Sequence, residues 1–280
     1  MNINAEFHCH STASDGTLSP SEIIKLAKEK NLSIISLTDH DTTEGISEAT
    51  EMAKKLSVNF IPGIELSCEH KGSTVHILGF FKGNYFKDEE FQKFLHNLKN
   101  SRINRAKEIV NRLDKFFNIK INYEDVLKKG KGVVARPHIA QCILEAGYDY
   151  DQDYIFDNFI GNNSPAYVPN KKLTVEDGIA LLKKYNALVF LAHPKLLKNI
   201  TLDEICQFNF DGVEAIYFQN TPDENNFYYS YCRKNNLLIS CGSDSHGNLP
   251  GDTRHGSIGI MSLDSYDFNN FLKKYNLLKP

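Results

Sequence analysis

Apolar residues in the first 80 positions switch repeatedly between short continuous runs and helical spacing. Ile3 to Phe7, Ser33 to Leu37, Val58 to Ile64 and Thr74 to Phe81 read as strands, and Pro20 to Lys30 and Glu44 to Leu56 as helices. The first helix has a defined start. Ser19-Pro20-Ser21-Glu22 combines an N-cap serine, proline at the first helical position and glutamate at the third, with Ile23, Ile24, Leu26 and Ala27 on one face. From Asp88 to about Phe117 the spacing is helical throughout, carried by Phe91, Leu95, Leu98, Ile109, Val110 and Leu113. Shorter helices are predicted near Tyr123 to Lys128, Pro137 to Glu145 and Gln152 to Phe159, and Tyr167-Val168-Pro169 is strand-like. Alternation resumes at Thr174. Strands are expected at Leu188 to Leu191, Gly212 to Tyr217, Leu237 to Cys241 and Ser257 to Met261. Helices are expected at Thr174 to Lys184, Leu202 to Phe208, Asp223 to Lys234 and Tyr266 to Tyr275. The pattern predicts an α/β body, residues 1–84 and 171–280, interrupted by a helical insertion at 85–170. Seven or eight strand–helix units suit a closed or nearly closed barrel, and periodicity alone leaves an open doubly wound sheet as the alternative.

Charge narrows the partners. Thirty-two basic against 35 acidic residues leave a net charge of −3, so no overall basic field favours long duplex nucleic acid. Apolar runs such as Ala187 to Ala192 are too short to span a bilayer, and Met1 to Glu6 carries no signal-peptide pattern. The expectation is a cytoplasmic protein with no membrane partner. The six cysteines are scattered without a C-x-x-C pair and read as reduced, mostly buried thiols.

Metal-ligand residue types gather just beyond predicted strand ends. His8-Cys9-His10 and Asp15 follow the first strand, Thr38-Asp39-His40-Asp41 the second and Glu65 the third. His76 lies in or beside the fourth, His193 follows Leu188 to Leu191, and Gly242-Ser243-Asp244-Ser245-His246 follows Leu237 to Cys241. In barrels such ends converge on one rim. Residues i and i+2 of an extended segment point the same way, so His8 and His10 can grip one cation while Cys9 faces away. Taken singly each motif has a bland explanation, as turn, cap or core residues; six histidines and three carboxylates at one rim do not. Mixed imidazole and carboxylate donors suit zinc, manganese or iron, and their number exceeds one tetrahedral shell. Multinuclear sites of this kind clamp phosphoryl groups and generate hydroxide near neutral pH. His70, His96 and His255 stand outside the pattern and read as surface or structural residues.

His8-Cys9-His10-Ser11, Asp15-Gly16, Thr38-Asp39-His40-Asp41, Pro62-Gly63-Ile64-Glu65, Val75-His76-Ile77-Leu78-Gly79, Ala192-His193-Pro194 and Gly242-Ser243-Asp244-Ser245-His246-Gly247 together resemble the motifs of the PHP (polymerase and histidinol phosphatase) family, in order and across essentially the whole chain. The resemblance implies a distorted (β/α)7 barrel with a helical insertion and up to three divalent transition metals, manganese first, with iron or zinc as alternatives. It places His8, His10, Glu65 and Asp244 on one metal. Glu65 would bridge to a second with His76 and His193, while Asp15, His40 and His246 would hold a third. Asp39 and Asp41 would orient ligands and serve catalysis. Arg136-Pro137-His138-Ile139-Ala140, Pro165-Ala166-Tyr167-Val168-Pro169 and the segment bearing Arg102 and Arg105 resemble the stand-alone branch that acts on nucleoside 3′,5′-bisphosphates and short 5′-phosphorylated RNA. Asn162, Asn163 and Ser164 stand where those relatives often carry a basic residue.

These readings predict a metal-dependent phosphoesterase in which metal-bound hydroxide attacks a nucleotide phosphate ester. Arg136 would neutralise developing charge, and Arg136, His138, Arg102, Arg105 and Tyr167 would bind the substrate. The alternatives are a histidinol-phosphate phosphatase and a non-catalytic metal-binding accessory module. A mononuclear or lysine-bridged amidohydrolase site would leave several of the nine donors unexplained.

Overall fold

The computed structural model describes residues 1–130, 134–169, 173–247 and 252–279. The expected boundary at 170/171 lies outside the described residues. The chain forms two compact units, Met1–Gln92 with Lys172–Pro280, and Lys93–Lys171. Its strands are β1 (Asn2–Glu6), β2 (Ile34–Leu37), β3 (Phe60–His70), β4 (Ser73–Phe81), β5 (Leu173–Thr174), β6 (Ala187–Leu191), β7 (Gly212–Tyr217), β8 (Leu238–Gly242) and β9 (Ser262–Asp264). Its helices are α1 (Pro20–Glu29), α2 (Ile46–Leu56), α3 (Glu89–Phe117), α4 (Tyr123–Gly130), α5 (Arg136–Glu145), α6 (Gln152–Asn158), α7 (Val175–Lys184), α8 (Leu202–Ile205), α9 (Pro222–Lys234) and α10 (Ser265–Asn276). None is long and apolar enough to cross a membrane among the described residues.

In the first unit the strands join in the order β8-β7-β6-β4-β3-β2-β1-β9, with β5 beside β3. All neighbours from β1 to β3 and from β6 to β8 are parallel, and β4 runs against both β3 and β6. The two ends of this path then meet. The Phe7 N–H donates to the Cys241 carbonyl (3.1 Å), the Asp244 N–H to that of His8 (2.9 Å) and the His10 N–H to that of Ser245 (2.8 Å). That seam closes β1, β2, β3, β4, β6, β7 and β8 into a seven-stranded barrel. One reversed strand makes it a distorted (β/α)7 barrel, and β9 extends the sheet outside the ring.

Strands β2 and β6 are buried at every position, because helices cover one side and barrel contents the other. Such strands read as continuous apolar runs rather than alternations. At one point the core draws on several strands at once. Phe271 of α10 lies against Phe7 (4.5 Å between centroids), Phe80 (5.4 Å) and Phe190 (5.5 Å), and all four rings are fully buried. The capping box at Ser19 and Glu22 forms as the sequence predicts.

Three local expectations need correction. Strand β3 continues through Glu65 to His70, since the hairpin with β4 supplies partners as far as Ser73. Ser257 to Met261 is not a strand; the pairing with β1 falls on Ser262–Asp264. Tyr167 to Pro169 forms no strand. In the second unit α3 to α6 pack around Ile109, Leu113, Val126, Ile139, Ile143 and Ile155.

Removing the shared ring should be felt across the barrel. Phe271→Ala is expected to destabilise the protein by about 3–5 kcal/mol through the cavity it leaves, measured by denaturant unfolding. A loss below about 1 kcal/mol would mean that the three strand phenylalanines close over the gap without α10.

Candidate metal centre

Each element delivers its side chain for a local reason. The extended segment after β1 turns His8 and His10 to the same side, and Cys9 faces away, its thiol near the Ser36 carbonyl (3.3 Å). His40 follows β2 and pairs in register with Glu65 of β3. Because β4 is antiparallel, its early part lies where the other strands end, and His76, opposite Ser67, reaches the same rim. His193 follows β6, and Asp244 and His246 follow β8. Three residues here have left-handed backbone, Asp41 (φ 52°), His193 (φ 25°) and Asp244 (φ 53°). For histidine that conformation is uncommon and has to be held by its surroundings.

The donors converge. Glu65 Oε2 faces His8 Nε2 (3.3 Å), His10 Nε2 (3.2 Å) and His40 Nδ1 (2.8 Å), and Oε1 faces His76 Nδ1 (2.8 Å) and His193 Nε2 (3.1 Å). Asp244 Oδ1 lies 3.3 Å from His8 Nε2 and 3.1 Å from His10 Nε2. Asp15 lies 3.3 Å from His246 Nε2 and 3.8 Å from His40 Nε2. Three groups each bring one donor atom per residue within 4.8 Å of the rest: His8, His10, Glu65 and Asp244; His10, Asp15, His40 and His246; and His40, Glu65 and His76. His193 stands beside the third group through Glu65 and through His76, whose Nδ1 is 3.3 Å from His193 Nε2.

The electrostatics of the bare protein groups are those of a charged cluster. Burial opposes ionisation of Glu65, yet the imidazoles of His40, His76 and His8 hold its carboxyl well below the usual range. Burial likewise opposes protonation of His10, but the facing Asp244 and Glu65 carboxylates push it up to about 10. His246 moves down, through burial and then the neighbouring His10 charge.

The donor set also fits divalent cations. His8 Nε2, both nitrogens of His10, Asp15 Oδ1, His40 Nδ1 and Glu65 Oε2 are buried without a hydrogen-bond partner among the described residues. His40 Nδ1 comes within 2.8 Å of Glu65 Oε2, yet neither atom is in hydrogen-bond alignment. Buried polar atoms are normally paired, and several orphans aimed at common points are what a set of lone pairs awaiting cations presents.

Sequence reasoning missed the groups that fix these rings. Glu214 of β7 is fully buried and lies 3.0 and 3.2 Å from His8 Nδ1. A carboxylate accepts, so His8 carries its proton on Nδ1 and turns the Nε2 lone pair inward. The other Glu214 oxygen accepts from the His193 N–H (2.8 Å). Gly242 permits this pairing, because a Cβ there would run into both Glu214 Oε1 and the His8 Cβ. The Tyr217 hydroxyl donates to Asp244 Oδ2 (3.2 Å). A lone glutamate inside an otherwise apolar strand, Val213-Glu214-Ala215, is the signal that could have found it.

Asp39 and Asp41, expected to orient imidazoles, serve the backbone in the contacts seen. Asp39 accepts from the Ser11 N–H and hydroxyl and the Ser14 hydroxyl (2.7, 2.7 and 2.6 Å), which pins the loop after His10, and Asp41 accepts from the Ser67 N–H (2.8 Å). His255, read as a structural or surface residue, lies against the His246 ring (4.0 Å).

Within the helical unit, the guanidiniums of Arg105 and Arg136 lie over the Tyr167 ring at 5.9 and 5.7 Å. Arg105 donates to the Val168 carbonyl (2.7 Å), and Arg136 to the Ile160 carbonyl and Asn162 Oδ1 (both 3.0 Å). Burial and then the charges of Arg136 and Arg102 lower the pKa of Arg105. His138 Nδ1 accepts from the Ala135 N–H (3.1 Å) and caps α5. Arg112, which the sequence reading passed over, donates to the Tyr167 carbonyl (2.7 Å).

Residues 6–192 match the PHP domain. The chain belongs to the PHP domain family. Among its relatives, a 5′-3′ exoribonuclease of Haemophilus influenzae is 29% identical over 88% of this chain and 91% of its own. A 3′,5′-nucleoside bisphosphate phosphatase of Chromobacterium violaceum is 26% identical over 89% of this chain and 88% of its own. A Bifidobacterium adolescentis structure provisionally described as a metal-dependent phosphoesterase superposes with a TM-score of 0.76 at 27% identity, covering 97% and 96% of the two chains. As a PHP protein with these relatives, the chain is a hydrolase of phosphate esters.

Two outcomes follow from the centre's construction. Glu214→Gln keeps the shape of the His8 support but removes its charge. It should weaken manganese binding about 10- to 100-fold, as loss of a ligand-orienting partner commonly does, in a calorimetric titration; unchanged affinity would remove Glu214 from the centre. The second outcome concerns pH. The carboxylates around His10 push its pKa up to about 10 in the bare protein, so a cation competes with a proton there. Manganese affinity should rise from pH 6 to pH 8 with proton release visible in buffers of different ionisation enthalpy; pH-independent binding would mean His10 is not displaced.

Proposed function

We propose that this PHP protein hydrolyses phosphate esters of nucleotides, with nucleoside 3′,5′-bisphosphates and short 5′-phosphorylated RNA as its substrate class. One observation carries the reading: a single buried carboxylate, Glu65, faces five imidazoles. That arrangement is costly in a protein without cations and useful in one that holds several. We assign up to three divalent transition metals to the three donor groups, with manganese the first choice and iron or zinc the alternatives. His8, His10, Glu65 and Asp244 would hold one, Glu65, His76 and His193 a second, and Asp15, His40 and His246 a third. When bound, such ions supply Lewis acidity toward phosphoryl oxygens and an activated water.

The chain's own groups do the remaining work. Glu214 keeps His8 in the tautomer that presents Nε2, and the Tyr217 hydroxyl holds one Asp244 oxygen so that the other faces the histidines. Asp39 and Asp41 fix the loops that carry His10 and His40. Arg136, with Arg102 and Arg105, is assigned to the phosphate groups of the substrate, where a guanidinium fork can meet two oxygens at once and offset charge that develops in the transition state. Tyr167 and His138 shape that cationic patch. The nucleotide assignment draws on the named activities of the relatives and on these arginines.

Treatment with a chelator should abolish phosphate release, and manganese should restore it. Full turnover by metal-free protein would sink the reading. Glu65→Gln should lower kcat at least about a hundredfold, on the order of 3 kcal/mol, with loss of bound metal; near-normal turnover with full metal content would exclude Glu65 as a ligand. Arg136→Ala should impair nucleoside bisphosphates more than a small aryl phosphate, by about 1.5–3 kcal/mol in kcat/KM. Equal losses on both would move substrate selection elsewhere, and a preference for histidinol phosphate in the wild type would replace the nucleotide assignment.

A further inference from the structure

We propose that His255 is a positioning residue for His246, its ring packing against the imidazole so that Nε2 faces Asp15. The inference rests on the metal-centre reading above. His246 needs such support. Its Nδ1 lies 2.8 Å from the Asp244 carbonyl oxygen, and a carbonyl can only accept, so Nδ1 carries the proton and Nε2 is the ligating nitrogen. That single bond holds one edge of a ring on a loop after β8 and leaves its faces to packing.

The two nearest rings supply most of it, with His40 farther off at 6.0 Å. His10 stacks on His246 at 4.2 Å and 23°, and His255 lies against it at 4.0 Å and 34°. His255 is itself anchored, its Nδ1 2.7 Å from Asp252 Oδ2, and the segment is tied to the barrel by the Gly256 N–H on the Ser243 carbonyl (2.8 Å) and by Gln219 on the Arg254 carbonyl. His255 contributes no donor atom to any of the three converging groups. Its contact is with a ligand, not with the place where ligands meet, so it acts through His246.

The test compares metal-free wild type, H255A and H255F by equilibrium dialysis against Mn²⁺ with elemental analysis, after circular dichroism has shown that each is folded. The wild type should fill all its sites. H255A should lose affinity at one site by about 10- to 100-fold, and H255F, which keeps an aromatic face but no ring nitrogen, should recover most of it. Identical binding by H255A and wild type would overturn the inference. Equal losses in H255A and H255F would overturn it too, showing that a His255 nitrogen is needed. A wild type that binds no manganese would fail the metal-centre reading itself, a result distinguishable from either.

Discussion

A fully buried carboxylate facing five imidazoles is the constraint on which the rest of this molecule turns. Glu65 is fully buried on β3, and an ion in that position is tolerated only if opposite charges surround it. The ring brings imidazoles to it from β1, β2, β4 and β6 at once, a donor set suited to holding such charges. This explains why one strand runs backward. An antiparallel β4 brings an early residue, His76, to the rim where the parallel strands end, so the Glu65 Oε1 side has its imidazoles without another loop.

Closure of the barrel and orientation of the donors are the same event. The seam between the segments after β1 and β8 carries His8, His10, Asp244 and His246, and its backbone bonds involve those residues directly. Glu214 crosses the same junction by holding His8 and the His193 backbone together, and Gly242 is glycine because a side chain there would displace that pair. A fault in the seam is therefore a fault in the centre. The phenylalanine cluster around Phe271 holds β1, β4 and β6 together through packing that makes no demand on chemistry.

Much of this is legible in the sequence. Continuous apolar runs identified the buried strands, the Ser19–Glu22 cap located α1, and H-x-H with rim carboxylates located the donors. What stayed hidden has physical reasons. Periodicity does not encode strand direction, so the reversal of β4 was invisible. The end of β3 was misjudged because hairpin pairing, a tertiary contact, extends it past Glu65. Glu214 and His255 sit far in sequence from the ligands they orient; a lone carboxylate in an apolar strand is the one mark Glu214 carries, and nothing in its neighbours marks His255. Asp39 stands inside the Thr38-Asp39-His40-Asp41 motif, and its partners are the N–H and hydroxyl of Ser11 and the hydroxyl of Ser14.

The central claim is that the orphaned nitrogens and oxygens around Glu65 are cation ligands rather than a buried hydrogen-bonded network. Anomalous diffraction at the manganese edge, from crystals grown with Mn²⁺, tests it most directly. Two or three peaks are expected, with Glu65 ligating two of them and Asp15, His40 and His246 enclosing another. A map without peaks at these residues, or one in which Glu65 touches only imidazoles, would contradict it.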